Sequence, residues 1–172
     1  MFRIHPEYDD DAYEVELLLD LTFAPGRSAL SSYRLREGVA PLSGLCCVAR
    51  DEFDALVGAV RFWPVVVGPG TLPAVLLGPI AVHPTRQGEG LGALLMKEGL
   101  DRARDAGWRC ALLVGDAPYY GRFGFFRVPV EFPPPTNPDR VLGLELVPGG
   151  LEGIEGPVAR WPVAKETAAG GG

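Results

Sequence analysis

Three alternating glycines are the first feature of this sequence that could perform chemistry. Gly88, Gly90 and Gly92 lie between an apolar run, 75–82, and a leucine-rich segment typical of a helix. Glycine allows positive φ and lets a ligand approach peptide N–H groups without a Cβ in the way. The first N–H groups of a helix also lack partners, and the helix dipole favours an anion there. The spacing therefore predicts a cradle for a phosphate or pyrophosphate group.

Two common phosphate-binding loops differ from this one. A nucleoside-triphosphate loop requires G-x-x-x-x-G-K-[ST], and the sequence contains neither Gly-Lys-Ser nor Gly-Lys-Thr. The dinucleotide fingerprint G-x-G-x-x-[GA] matches at Gly88, Gly90 and Ala93, but the apolar run ends too early for its tight turn. The acidic residue expected about 20 residues later is also missing at that distance. An NAD-binding oxidoreductase is therefore a distant alternative.

Residues 87–92 match a known signature. They resemble the Q/R-x-x-G-x-G/A motif of the GNAT superfamily of acetyl-CoA-dependent N-acetyltransferases, with Gly90 and Gly92 at the two glycine positions. The stretch 119–125, YYGRFGF, is similar to the F-Y-x-x-x-G-F motif that often follows in this family. The whole of 76–126 looks like the YhbS-like predicted acetyltransferases within it. The resemblance implies an enzyme that moves an acetyl group from acetyl-CoA to a primary amine by direct attack.

The resemblance also implies how acetyl-CoA is bound before CoA leaves as product. In this family the fourth and fifth strands splay apart, and backbone groups of the fourth strand pair with the pantetheine arm. The N–H of Val82 would point at the acetyl carbonyl as an oxyanion donor. We further expect Gly78 and Pro79 to bulge and open the splay, since proline cannot donate to a strand ladder. The expected cofactor-binding residues are Ile80, Ala81, Val82, Gln87, Gly88, Glu89, Gly90, Leu91, Gly92 and Ala93.

A tyrosine is the candidate general acid. Tyr120 matches the family's acid tyrosine, whereas Tyr119 is expected to pack against the core. Phenols and thiols both have pKa values of about 8.5 to 10, so a phenol readily protonates a departing thiolate. Cys110 lies within an apolar run and is expected to be a small buried hydrophobe rather than a nucleophile. Direct attack by the amine requires no such nucleophile.

The general base is left open by the sequence. Many relatives place a glutamate on the fourth strand, but the run 74–82 contains no acidic residue. His83, which titrates near neutrality, and Asp116, which follows the next apolar run, are the candidates. A water relay or deprotonation by bulk solvent would serve as well. The missing acid favours a second hypothesis, a CoA-binding regulatory protein with weak or no catalysis.

The apolar pattern around these residues predicts an α/β domain. A strand, a helix and a further strand in succession indicate a parallel crossover. With the resemblance, this predicts a GNAT-like mixed central sheet with splayed fourth and fifth strands and helices on both faces. One domain is expected over 1–163, followed by a disordered tail at 164–172. Expected strands are 2–4, 44–49, 55–67, 74–82, 109–114, 125–128 and, last, 140–147; expected helices are 12–23, 27–37, 91–107 and 117–123.

Composition limits the partners. The 172-residue chain has a net charge of −6, which argues against nonspecific binding to nucleic acid or anionic membrane. The net negative charge weakly favours a cationic acceptor, and a small-molecule or peptide amine is expected.

Three cysteines without metal-ligand spacing predict reduced thiols, a cytoplasmic location and no metal site. No signal peptide or bilayer-length apolar run is recognised. The oligomeric state is left open, although dimers are common among such relatives.

Overall fold

The computed structural model describes residues 1–23 and 31–162. Within these ranges the chain forms four α-helices and nine strands. The helices are α1 (Ala12–Thr22), α2 (Ser31–Arg34), α3 (Leu91–Asp105) and α4 (Ala117–Gly121). The strands are β1 (Arg3–Pro6), β2 (Cys47–Arg50), β3 (Leu56–Val67), β4 (Leu72–Val82), β5 (Cys110–Val114), β6 (Phe126–Arg127), β7 (Val130–Glu131), β8 (Val141–Glu145) and β9 (Gly156–Arg160).

The strands form one mixed sheet in the order β1-β2-β3-β4-β5-β8-β6. Along this order neighbouring strands are antiparallel except β4 and β5, which α3 connects as a parallel pair. β9 pairs antiparallel with β3 and parallel with β7. The ladder between β4 and β5 covers two residue pairs, Val75 with Ala111 and Leu76 with Leu112. Beyond these pairs the two strands border a cavity instead of each other. The predicted mixed sheet with splayed fourth and fifth strands is therefore confirmed.

A β-bulge lies where the splay begins. Leu77 pairs with Phe62 and Ile80 pairs with Val60, so Gly78 and Pro79 together oppose a single residue of β3. The indole Nε1 of Trp63 donates a hydrogen bond of 2.7 Å to the carbonyl of Gly78 and so fixes the bulged segment. The extra residue bends the strand and disrupts its ladder, as the Gly-Pro pair predicted.

Helices cover both faces of the sheet, as predicted. On one face α1 buries Val15, Leu18 and Leu19 against β2, β3 and β4. On the other face α3 buries Leu91, Leu95, Met96 and Leu100 against β3 and β4. Each fully buried aliphatic side chain stabilises the fold by about 1.5–3 kcal/mol. These contacts hold the start of α3 rigidly beside the end of β4.

One expectation about the elements was wrong. The segment 140–147 does not contain the last strand, because β9 follows it and pairs with the second half of β3. The expected tail at 164–172 lies outside the described residues, and the single domain over 1–163 stays a prediction. No helix within the described ranges has the length and apolar character that crossing a membrane requires.

Candidate active site

The glycine loop ends at a helix N-terminus whose N–H groups are open. Gly88 has φ of 87°, and Gly90, the N-cap of α3, has φ of 79° and ψ of 10°. Both are left-handed conformations that cost other residues about 1–2 kcal/mol. Gly90 carries no capping side chain, and the N–H groups of Leu91, Gly92 and Ala93 have no partner within the helix. The local structure suits a bound anion.

A cavity of about 510 Å³, here called the loop cavity, opens in front of these N–H groups. It runs from the start of α3 along the end of β4 to α4. Eight of the ten residues predicted to bind the cofactor line it. The lining residues are Ile80, Val82, Arg86, Gln87, Gly88, Gly90, Leu91, Gly92, Ala93, Tyr119, Tyr120 and Arg122.

Two arginines bring positive charge to the loop cavity, and they differ in what they already bind. The Arg86 guanidinium is 3.0 Å from a carboxylate oxygen of Asp51 and 3.0 Å from one of Glu52. Arg122 instead lies over the Tyr119 ring, 5.1 Å from its centroid. Arg122 has no ion pair with any residue in 1–23 or 31–162. Of the two cations, Arg122 is the one whose charge is not offset by a neighbouring carboxylate.

The backbone of β4 presents alternate residues to the splay. The N–H of His83 donates 2.8 Å to the carbonyl of Val57, which sets the hydrogen-bonded positions of this ladder. By the alternation of antiparallel pairs, Ala81 shares hydrogen bonds with β3, whereas Ile80 and Val82 direct their N–H and C=O groups away from it. The Gln87 side chain donates 3.3 Å to the carbonyl of Val82. Ile80 and Val82 thus form an edge that no strand pairs within the described residues, although Gln87 already donates to the Val82 carbonyl.

Two of the predicted cofactor contacts lie apart from this edge. The backbone of Ala81 is taken up by β3, and its side chain is buried beneath α1. The side chain of Glu89 is exposed, 3.9 Å from Arg86, and does not line the loop cavity. Neither residue is among the contacts that the geometry favours.

Tyr120 lies on the wall between two cavities. Its ring packs against Gly115 and, edge-on, against Phe125 at 6.0 Å between centroids. Burial, followed by the neighbouring Tyr119 phenol, raises the pKa of Tyr120, although Arg140 acts in the opposite direction. The phenol therefore keeps its proton through the neutral range. This is the state that a general acid needs.

A second cavity of about 380 Å³, here called the splay cavity, lies between the diverging ends of β4 and β5. It shares Ile80, Tyr119 and Tyr120 with the loop cavity, so the two cavities meet at the tyrosines. The remaining lining residues are Phe23, Ser32, Tyr33, Arg36, Leu76, Leu77, Gly78, Pro79, Leu113, Val114, Gly115, Asp116 and Arg140.

The structure separates the two candidate bases. Asp116 lines the splay cavity with Tyr120, and its carboxylate accepts 3.1 Å from the N–H of Tyr119 as the N-cap of α4. His83 lies in a different hollow, beside Leu17, and its Nδ1 accepts 3.2 Å from the N–H of Thr85. Only Asp116 of this pair borders the same cavity as the tyrosine.

The three cysteines are buried and unreactive. Burial raises the pKa values of Cys46, Cys47 and Cys110 to about 11 each, so the thiols stay protonated. None of them lines the loop cavity or the splay cavity. Within 1–23 and 31–162, no group of three or more metal-ligating side chains occurs.

Sequence reasoning missed several polar residues of the two walls, among them Tyr119, Arg122, Arg36 and Arg140. Tyr119, expected to pack, places its hydroxyl 3.7 Å from the position that a Cβ on Gly92 would take. Arg122 lies within YYGRFGF, so its placement near the loop could have been suspected. Arg36 and Arg140 are far from the motifs in sequence, and no local spacing indicates that they reach the splay.

Comparisons with known proteins agree with this geometry. A family model described as an acetyltransferase (GNAT) domain matches residues 43–126. The chain is 35% identical over 122 residues to the N-acetyltransferase YhbS of Escherichia coli K12, an alignment covering 71% of this chain and 72% of the relative.

Solved structures are also similar. The crystal structure of Escherichia coli YhbS in complex with CoA gives a TM-score of 0.80 at 29% identity, covering 95% of this chain and 92% of that one. A GNAT family acetyltransferase from Brucella melitensis, in complex with acetyl-CoA, gives 0.72 at 28% identity, covering 95% and 98%. The likeness therefore extends over the parts of the fold that build both cavities.

Proposed function

Because the chain belongs to the GNAT superfamily of N-acetyltransferases, we propose that it transfers an acetyl group from acetyl-CoA to a primary amine by direct attack within the splay between β4 and β5. The membership confirms the predicted enzyme class and acetyl-CoA as the predicted co-substrate. It leaves the NAD-binding alternative without support, and the mixed sheet differs from a doubly wound dinucleotide fold.

One observation carries the proposal. The edge formed by Ile80 and Val82 faces a cavity that begins at the N-terminus of α3 and ends at Tyr120. A pyrophosphate fits the open N–H groups of the helix, and an extended amide-bearing arm fits the strand edge. Arg122 adds a cation whose charge the described residues do not neutralise. The residues present therefore suit acetyl-CoA along the length of the loop cavity.

Acetyl-CoA supplies a thioester carbonyl, and the chain supplies donors around it. The N–H of Val82, directed into the splay, is placed to donate to the carbonyl oxygen as negative charge develops there. The phenol of Tyr120 gives its proton to the departing sulfur. Its raised pKa keeps that proton in place until the thiolate forms.

Asp116 is the proposed proton acceptor. Its carboxylate borders the splay cavity, where an entering ammonium group would lose a proton either to it directly or through one water. The capping bond to the Tyr119 N–H fixes the carboxylate at the end of β5. His83 borders a different hollow, and the proposal gives it no role in the transfer.

The test is calorimetric titration of acetyl-CoA into three proteins. Gly92 has ordinary backbone angles, and a Cβ there would make normal contacts of 3.7 Å. Gly92→Glu therefore puts a negative charge into the loop cavity without backbone strain. Leu94→Glu makes the same charge change two residues later on the exposed side of α3. We expect binding by the wild type and Leu94→Glu and weakening of about 100-fold or more in Gly92→Glu.

The outcomes separate the alternatives. Equal affinity in all three proteins would remove the pyrophosphate from the start of α3. Binding by the wild type without release of CoA thiol on addition of any primary amine would favour the CoA-binding regulatory protein, which is the second candidate because β4 carries no acidic residue.

A further inference from the structure

The splay cavity carries more positive than negative charge, although the chain as a whole is acidic. Two arginines, Arg36 and Arg140, line it. Asp116 is the acidic side chain among its described lining residues. The net charge of −6 weakly favours a cationic acceptor. The two arginines that line the splay cavity instead favour an acceptor that carries a negative group.

Arg36 is held in a fixed orientation at this wall. The residue is 9% exposed. Its guanidinium carbon lies 4.0 Å from the centroid of the Tyr33 ring and 5.3 Å from that of Trp63. Trp63 is itself fixed by its 2.7 Å hydrogen bond to Gly78. Two aromatic faces therefore hold a planar cation beside the bulge of β4, at the entrance to the splay.

The chemistry of a guanidinium indicates which negative group suits this position. N–H donors of a guanidinium match the oxygens of a carboxylate. Nη2 of Arg36, which is 3.5 Å from the Ser32 hydroxyl, lies 3.7 Å from the position that a Cβ on Gly78 would take, at the wall of the splay cavity. Burial strengthens such a contact because little water competes for it.

Arg140 places a second cation across the cavity, at its rim. Its carbonyl accepts 2.8 Å from the N–H of Gly115, which ties the residue to the end of β5. The side chain is exposed and forms no ion pair with the described residues. Its contribution is therefore a screened attraction that draws anions towards the opening rather than a fixed contact.

We propose that the acceptor is a small primary amine that also carries a carboxylate, such as an amino acid or a short peptide, with Arg36 as the residue that binds the carboxylate. The amino group then points towards Asp116 and Tyr120, at the junction with the loop cavity. This assignment rests on the proposed acetyl transfer and adds its substrate class. A cavity of about 380 Å³ suits a molecule of that size.

The experiment compares amines that differ in one group. Wild-type kcat/KM is measured for 4-aminobutyrate and butylamine, phenylalanine and phenylethylamine, alanylglycine and its amide, and phosphoethanolamine and ethanolamine. We expect the carboxylate to raise kcat/KM by about 10-fold or more in at least one carboxylate pair. Arg36→Gln should bring that ratio close to one, and Arg36→Lys should give an intermediate ratio because it lacks the planar pair of donors.

Two further variants keep the test decisive. Arg127→Gln removes a cation that borders neither cavity and should keep the wild-type ratio. Arg140→Ala changes an exposed side chain, so it folds even where Arg36→Gln does not. It should lower kcat/KM for the carboxylate by about threefold at low salt and less at high salt. Acetyl-CoA affinity, measured for each variant, should stay at the wild-type value.

Failure of the acceptor assignment can be told apart from failure of the proposed acetyl transfer. A wild type that acetylates the amine without a carboxylate as well as its carboxylate-bearing partner, or that prefers phosphoethanolamine to every carboxylate, overturns the acceptor assignment alone. The acceptor assignment is also overturned if Arg36→Gln lowers kcat/KM equally for both members of a pair. A wild type that binds acetyl-CoA and acetylates no amine overturns the proposed function together with this assignment.

Discussion

The ring of Tyr120 lies directly against the α-carbon of Gly115, at the point where β5 ends. A Cβ at position 115 would overlap the ring, so the glycine makes room for the proposed acid. Gly115 also donates to the carbonyl of Arg140, which fixes its backbone. The position of the phenol in the splay thus depends on the absence of one side chain from a neighbouring strand.

Gly115→Ala is expected to displace Tyr120 and to lower kcat by about 10-fold or more while acetyl-CoA affinity changes less. The forced shift should also cost about 1–3 kcal/mol of unfolding free energy, measured by denaturant titration. Gly121→Ala is the matched control, because a Cβ there meets no atom within 4 Å. Equal effects from the two alanines would show that the packing of Tyr120 on Gly115 is unimportant for catalysis.

Tyr120→Phe is expected to lower kcat by about 100-fold or more with a small change in the KM for acetyl-CoA. Tyr119→Phe, which removes the hydroxyl near Gly92, should act mainly on that KM. A full rate in Tyr120→Phe would show that the thiolate leaves without this proton.

The pH dependence of Tyr120 has a definite sign. Burial raises its pKa, so the protonated form is favoured in the folded chain. The wild-type kcat should hold through the ordinary tyrosine pKa of about 10 and fall only as pH rises through the higher folded value. The corresponding part of the unfolding free energy is fully present below about pH 10 and is lost above it. Tyr120→Phe should lack this alkaline loss of stability when the two proteins are unfolded across that range.

The Asp11–Arg50 pair predicts acid sensitivity at the other end of the sheet. The carboxylate is 2.7 Å from the Arg50 guanidinium, and both side chains are nearly buried. Burial alone would raise the pKa of Asp11, but hydrogen bonds from the Tyr8 N–H and from Arg50 outweigh it and lower the pKa. The stability that this pair contributes is therefore present above the ordinary aspartate pKa and is lost as pH falls through the lower folded value.

Asp11→Asn should accordingly lower the unfolding free energy by about 2 kcal/mol at pH 7, with a smaller difference from wild type below about pH 3. The exposed neighbour provides the control, since Asp10→Asn should leave stability within about 0.5 kcal/mol of wild type at both pH values. A constant gap between wild type and Asp11→Asn from neutral to acid pH would contradict the assignment.

Arg122→Ala is expected to weaken acetyl-CoA binding by about 10-fold, more at low salt than at high salt, with kcat little changed. Arg127→Ala, which removes a surface cation paired with Asp139, is the control. An unaltered Kd in Arg122→Ala would leave the pyrophosphate to the N–H groups of α3 alone.

The parts of the site that are local in sequence could be predicted. The loop, the bulge and the end of β4 lie within 78–93, where spacing alone places glycines, proline and strand end in order. Spacing alone does not show which backbone groups face the splay, because that depends on the pairing of β4 with β3. Ala81 illustrates this, since the register turns its backbone away from the cavity.

Features that depend on contacts between residues distant in sequence could not be predicted, for different reasons. Arg36 and Arg140 come together at the splay only through tertiary packing. The buried side of α3 passes through Gly99, where a Cβ would overlap the Phe62 ring, and a glycine adds nothing to an apolar pattern. β9 shows one buried residue, Val158, within Gly-Pro-Val-Ala-Arg, too little to mark a strand.

Trp63 has a consequence for how this enzyme could be re-engineered. Its nitrogen donates to the carbonyl of Gly78 in the bulge, beside the proposed acetyl-CoA site, and its ring flanks the Arg36 guanidinium. We therefore expect a library that randomises Trp63 to broaden acceptor choice to lose acetyl-CoA binding in the same clones. Arg140 lines the splay cavity with an exposed side chain, so directed evolution of acceptor range is best begun there.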